Sequence, residues 1–381
     1  MSVHPPTRNW TAGHLRDLVF FQRGFDITKA EQSEGPFPVI SSSGLTSYHS
    51  EFKTRGPGVV IGRKGTLGSV YFSDNDYWPH DTTLWSKDLK DNNPRFVYYY
   101  LQTLDFKRFD VGNSNPTLNR NHIHDLPVMI PPRVVQDRIS SILSAYDDLI
   151  ENNLRRIALL EDAARQLYRE WFECLRFPGR EHTLFSDGVP EGWDRVPTPS
   201  AVAINPKTGL SATDDHWFVE MSDLPINSMV IQRATSREGR SGSKFQNGDT
   251  LFARITPCLE NGKTAFVDFL AEDDVGRGST EFIVLRSVRL TPEFVYCLAR
   301  TYAFRENAIK SMVGSSGRQR VQESCFEKFD VWVPSSSLMG LFTESVRPMF
   351  RQVKQLHAIN QHLQAARDLL LPRLMSGELA A

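Results

Sequence analysis

From Val134 to Phe172 the chain carries neither proline nor glycine, and apolar residues return every three or four positions. The stripe Ile139, Ile142, Tyr146, Leu149, Leu154, Ile157, Leu160, Ala164, Leu167 and Trp171 has the period of an amphipathic helix. A second stripe begins at Leu341 and continues through Val346, Met349, Val353, Leu356, Ile359 or Asn360, Leu363, Ala366 and Leu370, with one early proline, Pro348. At ~1.5 Å per residue the first helix would reach roughly 50–60 Å, longer than one domain usually needs. Each helix must bury its stripe, and the matching surface is the other helix. The pattern predicts an antiparallel coiled coil; the alternative packs each helix on its own domain.

The segments outside the helices read as mixed structure. Short β-type runs at Gly58 to Ile61, Ser69 to Phe72, Thr250 to Ala253, Lys263 to Phe269 and Phe282 to Arg286 alternate with turns rich in Gly, Asn and Pro. Phe96 to Phe109 and Pro292 to Ile309 read as helices. The predicted fold class is α+β, with two similar mixed α/β domains at residues 1–132 and 179–334. They are separated by a central helix at 133–178 and a C-terminal helix at 335–381.

Comparing the chain with itself at a shift of about 200 residues supports that division. Val111-Gly112-Asn113-Ser114 is echoed by Val313-Gly314-Ser315-Ser316, and Val128-Met129-Ile130-Pro131 by Val331-Trp332-Val333-Pro334. In the helices, Leu154, Ile157, Ala163-Ala164-Arg165 and Leu167 match Leu356, Ile359, Ala365-Ala366-Arg367 and Leu369. Upstream, Gly58 to Arg63 parallels Gly248 to Arg254, and Asp81-Thr82-Thr83-Leu84 parallels Ser279-Thr280-Glu281-Phe282. A frame kept while the domains diverge suits a device that reads two different things.

Composition narrows the partners. At 381 residues the chain exceeds one typical domain, and 40% hydrophobic residues suffice for packed cores. Lys plus Arg number 44 against 45 Asp plus Glu, so no global positive field advertises a polyanion, and any nucleic-acid contact must be local. Cys174, Cys258, Cys297 and Cys325 form no Cys-x-x-Cys pair, which predicts reduced thiols rather than a zinc site or disulfide framework. The opening MSVHPPTRNW has no apolar signal core and no stretch is apolar enough to span a bilayer, so a cytoplasmic protein without membrane contact is expected.

Catalytic motifs fail on inspection. Gly262-Lys263-Thr264 ends like a P-loop, but Pro257 occupies the place of its first glycine. Asn115-Pro116-Thr117-Leu118 and Asn205-Pro206-Lys207 lack the second proline and aromatic ring of an adenine methyltransferase. Asp26 with Glu51-Phe52-Lys53 fits a metal nuclease loosely and has no equivalent in the second half. His122 and His124 read as partly exposed loop histidines on one face of a strand or loop, without a third ligand nearby. No catalytic, cofactor-binding or metal-binding residue is therefore assigned.

What remains is basic, amide-rich loops. In the first half they hold Lys53, Arg55, Arg63, Lys64, Asn115, Asn119 and Arg120; in the second, Arg233, Arg237, Lys244, Arg254, Lys263, Arg318, Gln319 and Arg320. Arg can pair with guanine and Asn or Gln with adenine in the major groove, while Lys suits phosphates. Arg63 with Arg254, and Asn115 to Arg120 with Arg318 to Arg320, fall at equivalent places in the repeat.

The chain resembles the specificity subunits of type I restriction–modification systems over essentially its whole length. The resemblance is carried by Gly248-Asp249-Thr250-Leu251-Phe252-Ala253-Arg254-Ile255-Thr256-Pro257-Cys258-Leu259-Glu260-Asn261-Gly262-Lys263 and by Leu370-Leu371-Pro372-Arg373-Leu374-Met375-Ser376-Gly377-Glu378-Leu379. Pro131-Pro132-Arg133-Val134-Val135-Gln136, Trp171-Phe172 and Pro190-Glu191-Gly192-Trp193 add to it; the second helix begins differently, with Pro334-Ser335-Ser336-Ser337. It implies a non-catalytic subunit whose two recognition domains each read half of a split site in double-stranded DNA. The paired helices would fix the spacer and dock two modification (methyltransferase) subunits, and restriction/translocase subunits could join. S-adenosylmethionine, ATP and Mg²⁺ would be used by those partners and none bound directly here. The alternative is a stand-alone nuclease with fused recognition domains.

Overall fold

In the computed structural model, which describes residues 9–109, 117–210, 215–315 and 317–381, the chain falls into two units. Unit 1 comprises Met1–Ile150 and Gln361–Ala381, and unit 2 comprises Glu151–Asn360.

Unit 1 contains β1 (Thr11–His14), α1 (Leu15–Leu18), β2 (Phe20–Arg23), β3 (Phe37–Ser41), β4 (Gly44–His49), β5 (Gly58–Gly62), β6 (Val70–Ser73), β7 (Trp78–Pro79) and β8 (Thr83–Asp88). Then follow α2 (Pro94–Gln102), α3 (Arg120–His124), β9 (Pro127–Ile130) and the start of α4 (Arg133–Tyr168). One sheet has the order β2-β8-β5-β6, a second β4-β3-β7, and β1 pairs with β9. β5 is buried at every position, as an apolar, β-branched run covered on both faces should be. α2 opens with Pro94 at its first turn while the Asn93 side chain accepts from the Arg95 and Phe96 N–H groups. It ends earlier than predicted, because the Thr103 hydroxyl turns back to the Tyr100 carbonyl and Phe106 is drawn separately into the core.

Unit 2 repeats this plan. After the rest of α4 come β10 (Phe185–Ser186), β11 (Val189–Pro190), β12 (Asp194–Pro197), β13 (Val202–Ile204), β14 (Asp215–Val219), β15 (Thr235–Glu238), β16 (Ser243–Phe245), β17 (Thr250–Ala253), β18 (Thr264–Phe266), β19 (Gly276–Gly278) and β20 (Phe282–Ser287). α5 (Pro292–Arg300), α6 (Tyr302–Lys310), β21 (Asp330–Val333) and α7 (Ser336–Met375) complete the order. The sheets run β13-β20-β17-β18 and β15-β14-β19-β16, and β12 pairs with β21. The match extends to strand sense: β3 and β7 are parallel, and so are β14 and β19. The single helix predicted from Pro292 is two, since Thr301 is extended and its hydroxyl caps α6 by accepting from the Phe304 N–H.

The registers fix residue equivalences. Gly62 faces Thr83 and Ala253 faces Phe282, so the next residues, Arg63 and Arg254, stand at the same place. The Arg63 N–H donates to the Thr82 carbonyl and the Arg63 carbonyl accepts from Leu118; Arg254 does the same with Glu281 and Val321. Thr82 therefore corresponds to Glu281, one residue away from the alignment expected from the shared Thr-containing motifs. Leu118 corresponds to Val321, so Arg320 stands where Thr117 does and Glu323 where Arg120 does. The bridges Lys64–Thr117 and Ile255–Arg320 carry the same register.

The long helices pair within each unit. In unit 2 Asn153 of α4 meets Asn360 of α7 at 2.8 Å, while Tyr168 packs edge-on against Phe342, so the two segments run antiparallel. In unit 1 Asp147 pairs with Arg367, and Ile139 and Leu143 share a core with Leu374 and Met375. The buried line on α4 is Ile139, Leu143, Ile150, Asn153, Ile157, Glu161, Ala164 and Tyr168. Ile142, Leu149 and Leu154 of the predicted stripe are exposed instead. Asn153 and Glu161 interrupt the apolar line, and Gln136 and Ser140 are buried nearer its start, so a stripe drawn through apolar residues alone drifts off the packed face.

Both long helices are tied through equivalent side chains to the N-terminal cap of an earlier short helix, α2 in unit 1 and α5 in unit 2. Ser140 of α4 donates to Asn93 at 3.0 Å, and Thr343 of α7 to Thr291 at 3.1 Å. Gln136 adds a further tie by donating to Asn92 and Pro131 and accepting from the Asn93 N–H. This accounts for Gln136 in the Pro131-to-Gln136 motif; in unit 2 the Sδ of Met339 accepts from the Thr291 hydroxyl instead.

Candidate nucleic-acid interface

The end of β2, the end of β5 and the start of α3 converge in unit 1. Gln22, Arg23, Gly24, Phe25, Asp26, Arg63, Leu84, Thr117, Asn119 and Arg120 line an open cleft of about 720 Å³. Arg63, Asn119 and Arg120, from separate loops of the sequence, are thus brought together and joined by Arg23 and Gln22. Asn119 caps α3, its Oδ1 accepting from the Asn121 N–H. Arg63 is half-buried, and its Nη1 is buried without a hydrogen-bond partner. Burial first, and then the neighbouring Arg23 charge, lower the Arg63 pKa. Arg23 pairs with Asp81 at 2.9 Å, and Lys64 lies 3.9 Å from the same carboxylate.

The other predicted residues of unit 1 lie apart from the cleft lining. Lys53 and Thr54 donate their N–H groups to the Tyr77 carbonyl, and Lys53 Nζ sits 4.6 Å from the Trp78 ring centroid. Arg55 is exposed two residues further on. Asn115, and the 111–114 turn, lie outside the described residues. Asp26 groups with His80 and Asp81 rather than with Glu51 and Lys53, all ligand atoms within 4.8 Å. Asp81 there is already countered by Arg23 and Lys64, which leaves no support for the loose nuclease pattern. His124 is not the exposed loop histidine expected: it is buried on α3, and its Nε2 accepts from the Phe21 N–H at 3.0 Å.

Unit 2 places its arginines differently. Arg320 grips Glu281 bidentately, with Nε at 2.9 Å and Nη2 at 2.6 Å. The Arg320 bond holds the Glu281 carboxyl below its usual range. Arg254 lies 3.5 Å from Glu323, whose other contact is the Asn205 amide at 2.8 Å. Lys263 Nζ turns inward to the Met221 carbonyl at 2.7 Å. Gln319 exchanges bonds with Thr256, and Arg318 is exposed in the same loop. Arg237 pairs with Glu220 at 2.5 Å over the Phe218 ring; Arg233 is exposed nearby. Lys244 lies in a separate hollow with Asn205, Lys207 and Thr208.

One residue that the sequence reading passed over is Arg277. It is 3% exposed and donates to the carbonyls of Arg237 at 2.6 Å and Ser241 at 3.3 Å, and to that of Glu238. Its signal in the sequence is the flanking glycines. A Cβ at Gly276 would meet Phe245 at 2.3 Å, and one at Gly278 would meet Phe282 at 2.6 Å.

Residues 7–162 match the family described as the type I restriction modification DNA specificity domain. Over those residues the chain is similar to the type I specificity subunits. It is 22% identical to the MjaIX specificity subunit of Methanocaldococcus jannaschii, over 74% of this chain and 68% of that one. Against the HindI specificity subunit of Haemophilus influenzae it is 22% identical, over 75% and 77%. The EcoEI specificity subunit of Escherichia coli is 27% identical over 48% of this chain, a match spanning only 32% of that longer relative. The crystal structure of an S subunit from M. genitalium has the same fold, with a TM-score of 0.63 at 14% identity and 98% of both chains covered. No helix among the described residues of this chain is long and apolar enough to cross a membrane.

Proposed function

We propose that this chain is a type I specificity subunit that reads a split site in double-stranded DNA, one half with each unit, inside a type I restriction–modification complex. The observation that carries the reading is the duplication itself. Two units share the order of one four-stranded sheet and of three strands of the other, to which unit 2 adds β16, but carry different side chains at equivalent loop positions, as one scaffold adapted to two targets would. The subunit's role is recognition rather than catalysis. Two modification subunits docked on the long helices would bring S-adenosylmethionine and flip the target base. Restriction/translocase subunits would bring ATP and Mg²⁺, and α4 with α7 would set the spacer. A chain of formal net charge −1 fits this division, since partners would supply much of the positive surface around the duplex.

Methylation mapping in a host carrying the subunit with its modification subunit tests the reading. The expected product is a two-part motif with a fixed gap, and inserting one heptad between Ile150 and Leu160 should alter that gap. A single contiguous motif, or no methylation dependent on this chain, overturns it. Cleavage of plasmid by the purified chain with Mg²⁺ would favour the nuclease alternative.

A further inference from the structure

The two units keep the same arginine in opposite surroundings. Arg63 and Arg254 occupy one place in the fold, each held by the same pair of backbone bonds. Around Arg254, Glu323 approaches at 3.5 Å, and Glu281 binds the adjacent Arg320. In unit 1 the counterpart of Glu323 is Arg120 and that of Glu281 is Thr82. Gln22 replaces Asn205, which in unit 2 helps hold Glu323. The unit 1 cleft thus gathers Arg23, Arg63 and Arg120 against Asp26 among its lining residues, with the nearby Asp81 carboxylate paired to Arg23; one N–H group of Arg63 is buried without an acceptor, as the Arg254 Nε–H is in unit 2. A buried cationic donor crowded by a second arginine needs an anion with several acceptor oxygens.

We propose that the unit 1 cleft around Arg63 binds a phosphodiester group of the DNA backbone, whereas the equivalent place in unit 2 is closed by its own glutamates. The proposal rests on the DNA-reading function and adds a division of labour to it. Unit 1 supplies the salt-dependent anchoring through Arg63 and Arg120. Unit 2, with Arg254 and Arg320 already paired, contributes little of it.

The test is duplex binding by the full chain assembled with its modification subunits across a salt series, using a short duplex of unrelated sequence. Arg63→Gln should weaken binding several-fold and lower the slope of log affinity against log salt by about one. Arg63→Lys should retain most of the slope, which guards against a folding defect, and Arg254→Gln should leave it unchanged. Glu323→Gln should raise it by exposing Arg254. Equal effects of Arg63→Gln and Arg254→Gln, or none from Arg63→Gln, overturn the proposal while leaving DNA reading intact. Calorimetric binding of inorganic phosphate to the unaltered chain, without a duplex effect of Arg63→Gln, also overturns it in favour of a free-anion site. Failure of the unaltered assembly to bind any duplex overturns both readings.

Discussion

Asn153 donates its amide to Asn360 at 2.8 Å in the buried seam between α4 and α7. The two residues are 2% and 3% exposed, with Ile157 and Leu356 buried one turn further along their helices. An amide pair in an apolar seam stabilises less than two leucines would, but it matches in one stagger only. Asn153→Ala should cost about 1–3 kcal/mol in denaturant unfolding, because the Asn360 amide loses a buried partner. The double replacement Asn153→Leu with Asn360→Leu should recover that loss and widen the range of spacer lengths methylated. Unchanged spacer selectivity in the double variant would argue that the amides do not set the stagger.

Glu161 is 3% exposed on the same helix, and its Oε1 accepts from the Ser228 hydroxyl at 2.6 Å and the Met229 N–H at 3.0 Å. Burial raises its pKa. A folded pKa above the unfolded one contributes stability that is present at low pH and lost as pH rises through the folded value. Glu161→Gln keeps the acceptor without the charge, so at neutral pH it should be as stable as the parent or more so. The difference should shrink as pH falls toward the ordinary carboxyl range. Glu161→Ala should instead cost about 1–3 kcal/mol by orphaning the Met229 N–H. Denaturant melts of the three proteins at several pH values distinguish these outcomes.

Asn153 and Glu161 also mark where the sequence stops being readable. The helices, the duplication and most strands follow from periodicity and turn residues, because those signals are local. A buried polar residue looks like a surface residue in sequence, so the stripe was drawn through the exposed Ile142, Leu149 and Leu154. The repeat was visible, yet the Thr-containing motifs suggested an alignment one residue away from the sheet register. Arg320 looked as available as Arg120, because its neutralisation by Glu281 depends on a partner 39 positions away. Arg23 and Arg277 escaped notice for the same reason: their roles lie in what the fold brings to them.

His124 gives unit 1 an acid limit. Its Nε2 must stay unprotonated to accept from the Phe21 N–H, and the ring stacks on Phe20 at 4.6 Å. Burial first, then Arg120, lower its pKa below the model-peptide value of 6.5. Stability from this group is therefore present above about pH 6.5 and lost as pH falls through the lower folded value. His124→Gln can supply an acceptor oxygen that does not titrate there, so thermal unfolding should lose part of its pH dependence below pH ~6.5. An identical acid limb in both proteins would assign it to other groups.

Arg277 ties the arginine-bearing hairpin of unit 2 to its sheet. The guanidinium reaches three backbone carbonyls between Arg237 and Ser241 and lies 5.3 Å from the Phe218 ring centroid, with no carboxylate paired to it among the described residues. Its counterpart in unit 1 is Trp78, since both pair with the residue before the matching parallel-strand partner. An uncompensated buried cation is costly, and here several oriented carbonyl dipoles offset that cost. A lysine is a compact ammonium and cannot match a planar fork of five donors. Arg277→Lys should therefore behave nearly as badly as Arg277→Met. Both should speed amide exchange across residues 235–243 and blur methylation at one half-site, while the other half-site stays sharp. Equal loss at both half-sites would mean that Arg277 serves the stability of unit 2 as a whole rather than the placement of this hairpin.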